Sequence, residues 1–318
     1  MGDVVESLRS WRFARALVVS IGLSACGEDA SLENAGTPQD MTREESSSQG
    51  HKEGALATAW TLVESDVRAL ALSGNRIAVL KTDGTVYAKE GGLNADWTWQ
   101  RSGVVAIALA GDRIGVLSNN GDVYVKAGGL NADWTLQTSG ATAIALAGDR
   151  IGALFNDGNV YVKEGGLGAG WAWQTSGATA IALAGLRIGA LYADGTVRVK
   201  DGALGAPWTF QTSGAKAIAM AGNRIGALYA DGNVNVKEGD LNAPWLWLTS
   251  GTTAITLAGW RIGALYVDGL VRVKDGALGA PWTVTASGAK AISLSSDRMG
   301  FLDANGNAFV NEGSLSAQ

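Results

Sequence analysis

The sequence predicts an all-β chain, a seven-bladed β-propeller of four-stranded antiparallel blades closed by one N-terminal and three C-terminal strands. Three observations predict it. Tryptophan recurs at 60, 97, 134, 171, 208, 245 and 282, and arginine at 76, 113, 150, 187, 224, 261 and 298, always 37 residues apart. Periods of this length mark solenoids, propellers or arrays of one supersecondary unit. Each copy divides into four short apolar or alternating runs bounded by Gly, Asp or Asn, the pattern of short strands. In the fifth copy these runs are Trp208 to Thr212, Ala217 to Ala221, Arg224 to Tyr229 and Val234 to Lys237. Four such strands make a blade. Seven copies suffice to close a ring, and the distinct polar caps that an open solenoid requires are not visible.

Residues 1–25 read as a signal peptide. Arg9, Arg12 and Arg15 precede the apolar run Ala16 to Ala25, which has the length of a secretory h-region and is too short to cross a bilayer as a helix. The run ends in Leu23-Ser24-Ala25-Cys26, which resembles the lipobox of bacterial lipoproteins. The resemblance implies lipidation of the Cys26 sulfur, and Gly27 rather than Asp implies sorting to the outer membrane or cell surface of a Gram-negative envelope. The membrane is then reached through the lipid anchor alone.

Residues 26–57 read as a disordered polar tether. The stretch holds Ser46-Ser47-Ser48, seven acids against two bases between 27 and 54, and few large apolar residues, so it cannot bury enough surface to fold. As a coil it would average roughly 30 Å end to end, with a limit near 100 Å. His51 lies within it and is read as solvated.

Residues 58–318 carry the repeats. Between the third and fourth runs of each copy stands Asp-Gly or Asn-Gly (83–84, 120–121, 157–158, 194–195, 231–232, 268–269, 305–306), which predicts type I′ hairpins. If the Ala-Ile-Ala-Leu-Ala run is innermost, where blades crowd the axis, the Trp-led run is the outermost strand of the preceding blade. Trp60 to Glu64 then completes the last blade.

Composition narrows the function. The single His and single Cys remove most zinc, disulfide and His-assisted nucleophile chemistry. The carboxylates fall in hairpins and loops without a matched acid-base pair, so the chain is read as no enzyme and as needing no cofactor or metal. Most of the net charge of -5 sits in the tether, leaving the repeats near neutral. Without a positive stripe to release counterions from a polyanion, nucleic acid is an unsuitable ligand.

Several positions are invariant among the seven copies: the Trp, the Arg, Ser65, Leu80, Gly91, Leu93, Ala95 and their equivalents. The tryptophans suit either blade-to-blade packing or a face that stacks on a ligand. Ser65 and its equivalents suit turns. Each arginine follows a tight tip and suits either a clamp on carbonyls of the neighbouring long loop or a ligand site. The near-invariant lysine (Lys89, Lys126, Lys163, Lys200, Lys237, Lys274, with Asn311 last) ends a strand and is expected to be solvated. A meander puts its first and third connections at one end, so the tips, the arginines and the loops from Glu90 to Asp96 and their equivalents share a face. The candidate site residues are therefore Arg76, Arg113, Arg150, Arg187, Arg224, Arg261 and Arg298, with Trp97, Trp134, Trp171, Trp208, Trp245 and Trp282, and the loop residues Asn94, Asn131 and Asn242.

The Trp-led strand and the segment Ile-Gly-Ala-Leu-Tyr-x-Asp-Gly-x-Val-x-Val-Lys, one blade per repeat, resemble tectonin and tachylectin-type β-propeller lectins over 60–318. That resemblance implies binding of glycans or lipopolysaccharide in shallow pockets around the ring, through aromatic and polar loop residues. The resulting expectation is a non-catalytic, lectin-like surface lipoprotein whose repeated weak sites gain avidity. The alternative is an interaction scaffold that uses one propeller face to hold an envelope protein.

Overall fold

The computed structural model describes residues 59–313 and 315. The stretch read as a signal peptide, Cys26 and the whole of the stretch read as a tether lie outside the described residues. Within them, twenty-eight strands form seven four-stranded antiparallel sheets, each a blade. Blade one runs outward from the axis through Val67–Ser73, Arg76–Lys81, Val86–Glu90 and Thr98–Arg101. The pattern repeats every 37 residues through blade six. Blade seven takes Ala289–Leu294, Arg298–Asp303 and Ala308–Glu312 from the C-terminal end and Thr61–Glu64 from the N-terminal end.

The predicted one-plus-three closure is what the register shows. Thr61 lies opposite Val310 and Leu62 opposite Phe309. Trp60 meets Phe301 edge-on at 4.8 Å between centroids, and Phe301 stacks on Phe309 at 4.9 Å. The innermost strand of blade one then packs on the first two strands of blade seven, which completes the circle.

Blade contact depends on a missing methyl. In blades two to seven the third residue of the second strand is glycine, and two inner-strand apolar side chains of the next blade, Ile with Leu or Met, or Leu70 with Leu72 in blade one, lie over it. A Cβ on Gly115 would fall 2.7 Å from Ile144 Cδ1, and one on Gly300 2.5 Å from Leu70 Cδ2. The apolar side chains thereby reach the neighbouring backbone, and each stabilises the ring by about 1.5–3 kcal/mol through burial. Blade one has Ala78 at this place. Ile107, which faces it, is only half-buried, whereas Ile144, Ile181, Ile218, Ile255 and Ile292 are buried.

The hairpins differ from the predicted type I′. Such a turn needs positive φ at both central residues, yet the described non-glycine residue with positive φ is Asp66, and none is in a hairpin. In blade one Gly84 N–H donates to Lys81 O and Lys81 N–H to Thr85 O, while Gly84 sits at φ +86°. The loop is thus three residues, a type I turn followed by a left-handed glycine. Asp83 stays at negative φ because its carboxylate accepts the Thr85 N–H at 2.8 Å, a local bond that favours the type I shape.

Candidate functional site

Tips and long loops meet on one face, as the meander requires. In every blade the glycine that opens the long loop donates to the tip carbonyl, as Gly91 does to Asn75 and Gly128 to Asp112. The Asp-Gly hairpins lie on the other face, against the Ser-Gly turns: Val104 N–H donates to Gly84 O.

The seven arginines are placed beneath the first of these faces, at 8% exposure or less. In blade one the Arg76 Nε and Nη2 both reach Glu90 Oε2 at 3.2 and 3.1 Å. Its remaining donors cross to blade two: Nη1 to Asp112 O at 2.5 Å and Nη2 to Gly128 O at 2.6 Å. Arg150 and Arg224 repeat this three-way clasp with Glu164 and Glu238. Arg187 and Arg261 pair with the shorter Asp201 and Asp275, and their Nη1 atoms lack partners. Arg298 pairs with Glu312 and reaches Gly91 O in blade one. Hydrogen bonds to a charged group are worth about 1.5–3 kcal/mol each. The guanidinium groups thus rivet every blade to the long loop of its neighbour, and Arg76, Arg150 and Arg224 hold the neighbouring tip as well.

The tryptophans form an outer hoop. Each invariant indole Nε1 donates to a carbonyl of the preceding blade's outermost strand: Trp97 to Val63, Trp134 to Gln100, Trp171 to Gln137, Trp208 to Gln174, Trp245 to Gln211 and Trp282 to Leu248. Trp60 closes the hoop on Thr285 O at 2.7 Å. These rings are partly buried.

The lysines are not the solvated surface that their sequence position suggested. All six are 4% exposed or less. Each Nζ sits over an invariant indole, for example 4.5 Å from Trp97 for Lys89, and donates to the leucine carbonyl four residues on. Burial lowers all six ammonium pKa values, with a neighbouring arginine adding repulsion, and Lys126 is brought to about 8. In blade seven Asn311 replaces the lysine and donates to Ala59 O at 2.9 Å.

What remains open to a ligand lies above this frame. Asn94, Asn131 and Asn242 are exposed on the long loops, and so are the tips Asn75, Asp112, Asp149, Leu186, Asn223, Trp260 and Asp297. Leu186 and Trp260 are 53% and 61% exposed, large values for apolar side chains, and the Trp260 ring lies 4.9 Å from the Arg224 guanidinium.

A second set of aromatics went unread in the sequence. Two residues after each invariant Trp stands Leu62, Trp99, Leu136, Trp173, Phe210, Trp247 or Val284 on the rim. Trp99, Trp173, Phe210 and Trp247 are more than half exposed. Trp173 and Trp247 donate Nε1 to Asn159 and Asn233 Oδ1 in the hairpins. The signal was present as a second column of the same 37-residue period. Among the described residues no group of three or more His, Cys, Asp or Glu is placed to hold a metal.

No protein-family model matches the chain, and no curated protein matches it. Solved structures do resemble it. Prp20p from Saccharomyces cerevisiae, studied with its binding to Gsp1p and histones, superposes with TM-score 0.59 at 12% identity, over 79% of this chain and 83% of that one. YCF48 from Cyanidioschyzon merolae gives 0.57 at 16% identity over 80% and 99%. BamB from Moraxella catarrhalis gives 0.52 at 14% identity over 77% and 81%. At such identities the likeness is one of fold, and by fold this chain is a seven-bladed β-propeller.

Proposed function

We propose that the protein is a non-catalytic scaffold of the cell envelope that holds a protein partner on the face built from the tips and long loops. One observation carries this reading: above a nearly identical frame, the exposed tips differ from blade to blade. Leu186 and Trp260 put large apolar side chains over blades four and six, with the uncharged Asn223 between them, while Asp297, Asn75, Asp112 and Asp149 make a polar, acidic arc over blades seven to three. A surface with distinct sectors suits one large partner in one orientation. Exposed Trp anchors of this kind dominate protein interfaces. Propellers of the same fold bind proteins: Prp20p binds Gsp1p and histones, and Kap60 has been seen bound to it. The lipobox-like Cys26 supports attachment to the envelope.

The test is capture from detergent extracts of the source envelope. A stoichiometric protein that is retained in excess free sugar, and lost with Trp260→Ala or Leu186→Asp, supports the scaffold. Retention of the same protein by both variants contradicts it.

Glycan binding is a second reading, favoured by the rim. Trp99, Trp173, Trp247 and Phe210 offer aromatic faces to solvent, with Asn159 and Asn233 beside two of them, a combination that stacks on a pyranose ring and bonds its hydroxyls. A glycan array with hits lost in Trp173→Ala supports this reading; a blank array removes it.

A further inference from the structure

Six blades end their third strand in an acid: Glu90, Glu164, Asp201, Glu238, Asp275 and Glu312. Each forms an ion pair with the arginine of its own blade. The second blade has Ala127. Its backbone lies opposite Arg113 as Glu90 lies opposite Arg76, so the register is kept and only the carboxylate is missing.

Arg113 alone of the seven therefore has no ion pair within its blade. It makes one hydrogen bond, from Nη2 to Gly165 O at 2.5 Å. Its Nη1 is buried without a partner, as it is in Arg187, Arg261 and Arg298, so what sets Arg113 apart is the missing carboxylate. The Nε, which in blades one, three, four, five and six donates to the acid, has no acceptor among the described residues; in blade seven the Nε is also unpartnered, but there Nη2 holds Glu312. Arg113 is the most exposed of the seven, yet still only 8% exposed. A buried guanidinium without a counter-charge is unfavourable, so this position is primed for an anion. It can also be reached: in the other blades the paired acid is itself 26% to 42% exposed.

We propose that the place beside Ala127 is a carboxylate-binding site, where an acidic side chain of the partner protein completes the clasp that Glu90 and its equivalents complete within their own blades. The identity of the ligand follows from the repeat, since the group that fills this place six times over is a carboxylate. The acidic tips Asp112 and Asp149 beside it do not forbid this. Asp149 precedes Arg150, and Asp297 precedes Arg298, and in both blades a glutamate still pairs with the arginine. The partner half of the proposal rests on the scaffold reading; the site itself does not.

The site is tested on the full 15N-labelled chain by the Nε–Hε resonances of its arginines, that of Arg113 being assigned by its loss in Arg113→Lys. Sodium acetate is titrated against sodium chloride at equal ionic strength. The expected result is a saturable acetate-specific shift of the Arg113 signal, absent in Ala127→Glu and in Ala127→Asp, with a raised melting temperature for Ala127→Glu. No shift, an equal shift with chloride, or an undiminished shift in Ala127→Glu overturns the site. In a second arm, a captured partner is expected to bind Ala127→Glu at least tenfold more weakly. Unchanged binding overturns its carboxylate as the occupant. An acetate response without any captured partner leaves the site standing and removes the scaffold.

Discussion

Arg298 donates through Nη2 to the carbonyl of Gly91, 207 positions away in the chain, and so joins blade seven to blade one with the same bond that joins every other pair of neighbours. The closure is thus made in three concentric layers: inner-strand packing of Leu70 on Gly300, the arginine clasp beneath the loop face, and the indole hoop at the rim.

The arginine layer is testable by amide replacement. Arg298→Gln removes the bond to Gly91 and the ion pair to Glu312, and is expected to cost about 2–4 kcal/mol. Arg113→Gln, which lacks an acid to lose, is expected to cost less. Urea denaturation of the two variants ranks them, and an equal or reversed ranking contradicts the description of the clasp.

Gly300→Ala places a methyl 2.5 Å from Leu70 Cδ2 at the seam where blade seven meets blade one. Overpacking of this kind costs typically 1–3 kcal/mol. The reverse change, Ala78→Gly, lets Ile107 settle onto the backbone and is expected to cost much less or to stabilise. Thermal melts of both variants check the pair.

Asp66 occupies the turn position held by Gly103 and its equivalents in the other blades, at φ +55°. A left-handed conformation costs an L-residue roughly 1–2 kcal/mol. Asp66→Gly is therefore expected to stabilise the ring by up to about 1 kcal/mol, after the entropy that glycine adds to the unfolded chain is subtracted. A loss of stability in urea unfolding contradicts this.

Lys126 titrates near 8 in the folded ring because it is buried, with Arg76 adding repulsion, against an ordinary value of 10.5. Between those limits the unfolded chain binds more protons than the folded one, so unfolding free energy rises with pH. Below pH 8 the penalty of burying the charge is present in full; as pH climbs through the folded pKa it is relieved. The stability of wild type relative to Lys126→Met is expected to increase from pH 8 to 10.5. A flat or falling difference shows that the ammonium is not penalised.

Blade number, strand order and the closing role of Trp60 to Glu64 were all legible in the sequence, because a 37-residue period and alternating strands encode them directly. The single face shared by arginines and long loops followed from meander geometry. Three other features were not legible. Lys89 follows Val86-Tyr87-Ala88, and alternation places it with Tyr87 on the outward side. What buries it is Trp97, returned over that side by the long loop, and local alternation carries no record of a loop's return. Asp83-Gly84 satisfies the residue preference of a type I′ turn, yet the Asp83 carboxylate bond to Thr85 N–H favours the longer loop. The exposed rim of Trp99, Trp173 and Trp247 escaped for a simpler reason. Invariance drew attention to the column that holds the frame, and the neighbouring column varies between Trp, Phe, Leu and Val.

Every assignment of a face depends on a ring closed by the N-terminal strand, and calorimetry of three chains measures that closure directly: the full chain, one beginning at Ala59 and one beginning at Asp66. The chain from Ala59 is expected to melt with the full chain. The chain from Asp66 loses Trp60, its bond to Thr285 and the edge strand on Phe309, and is expected to melt at least about 10 °C lower, at roughly 2–4 °C per kcal/mol for a domain of this size. Equal melting of all three would contradict the closed ring and the faces built on it.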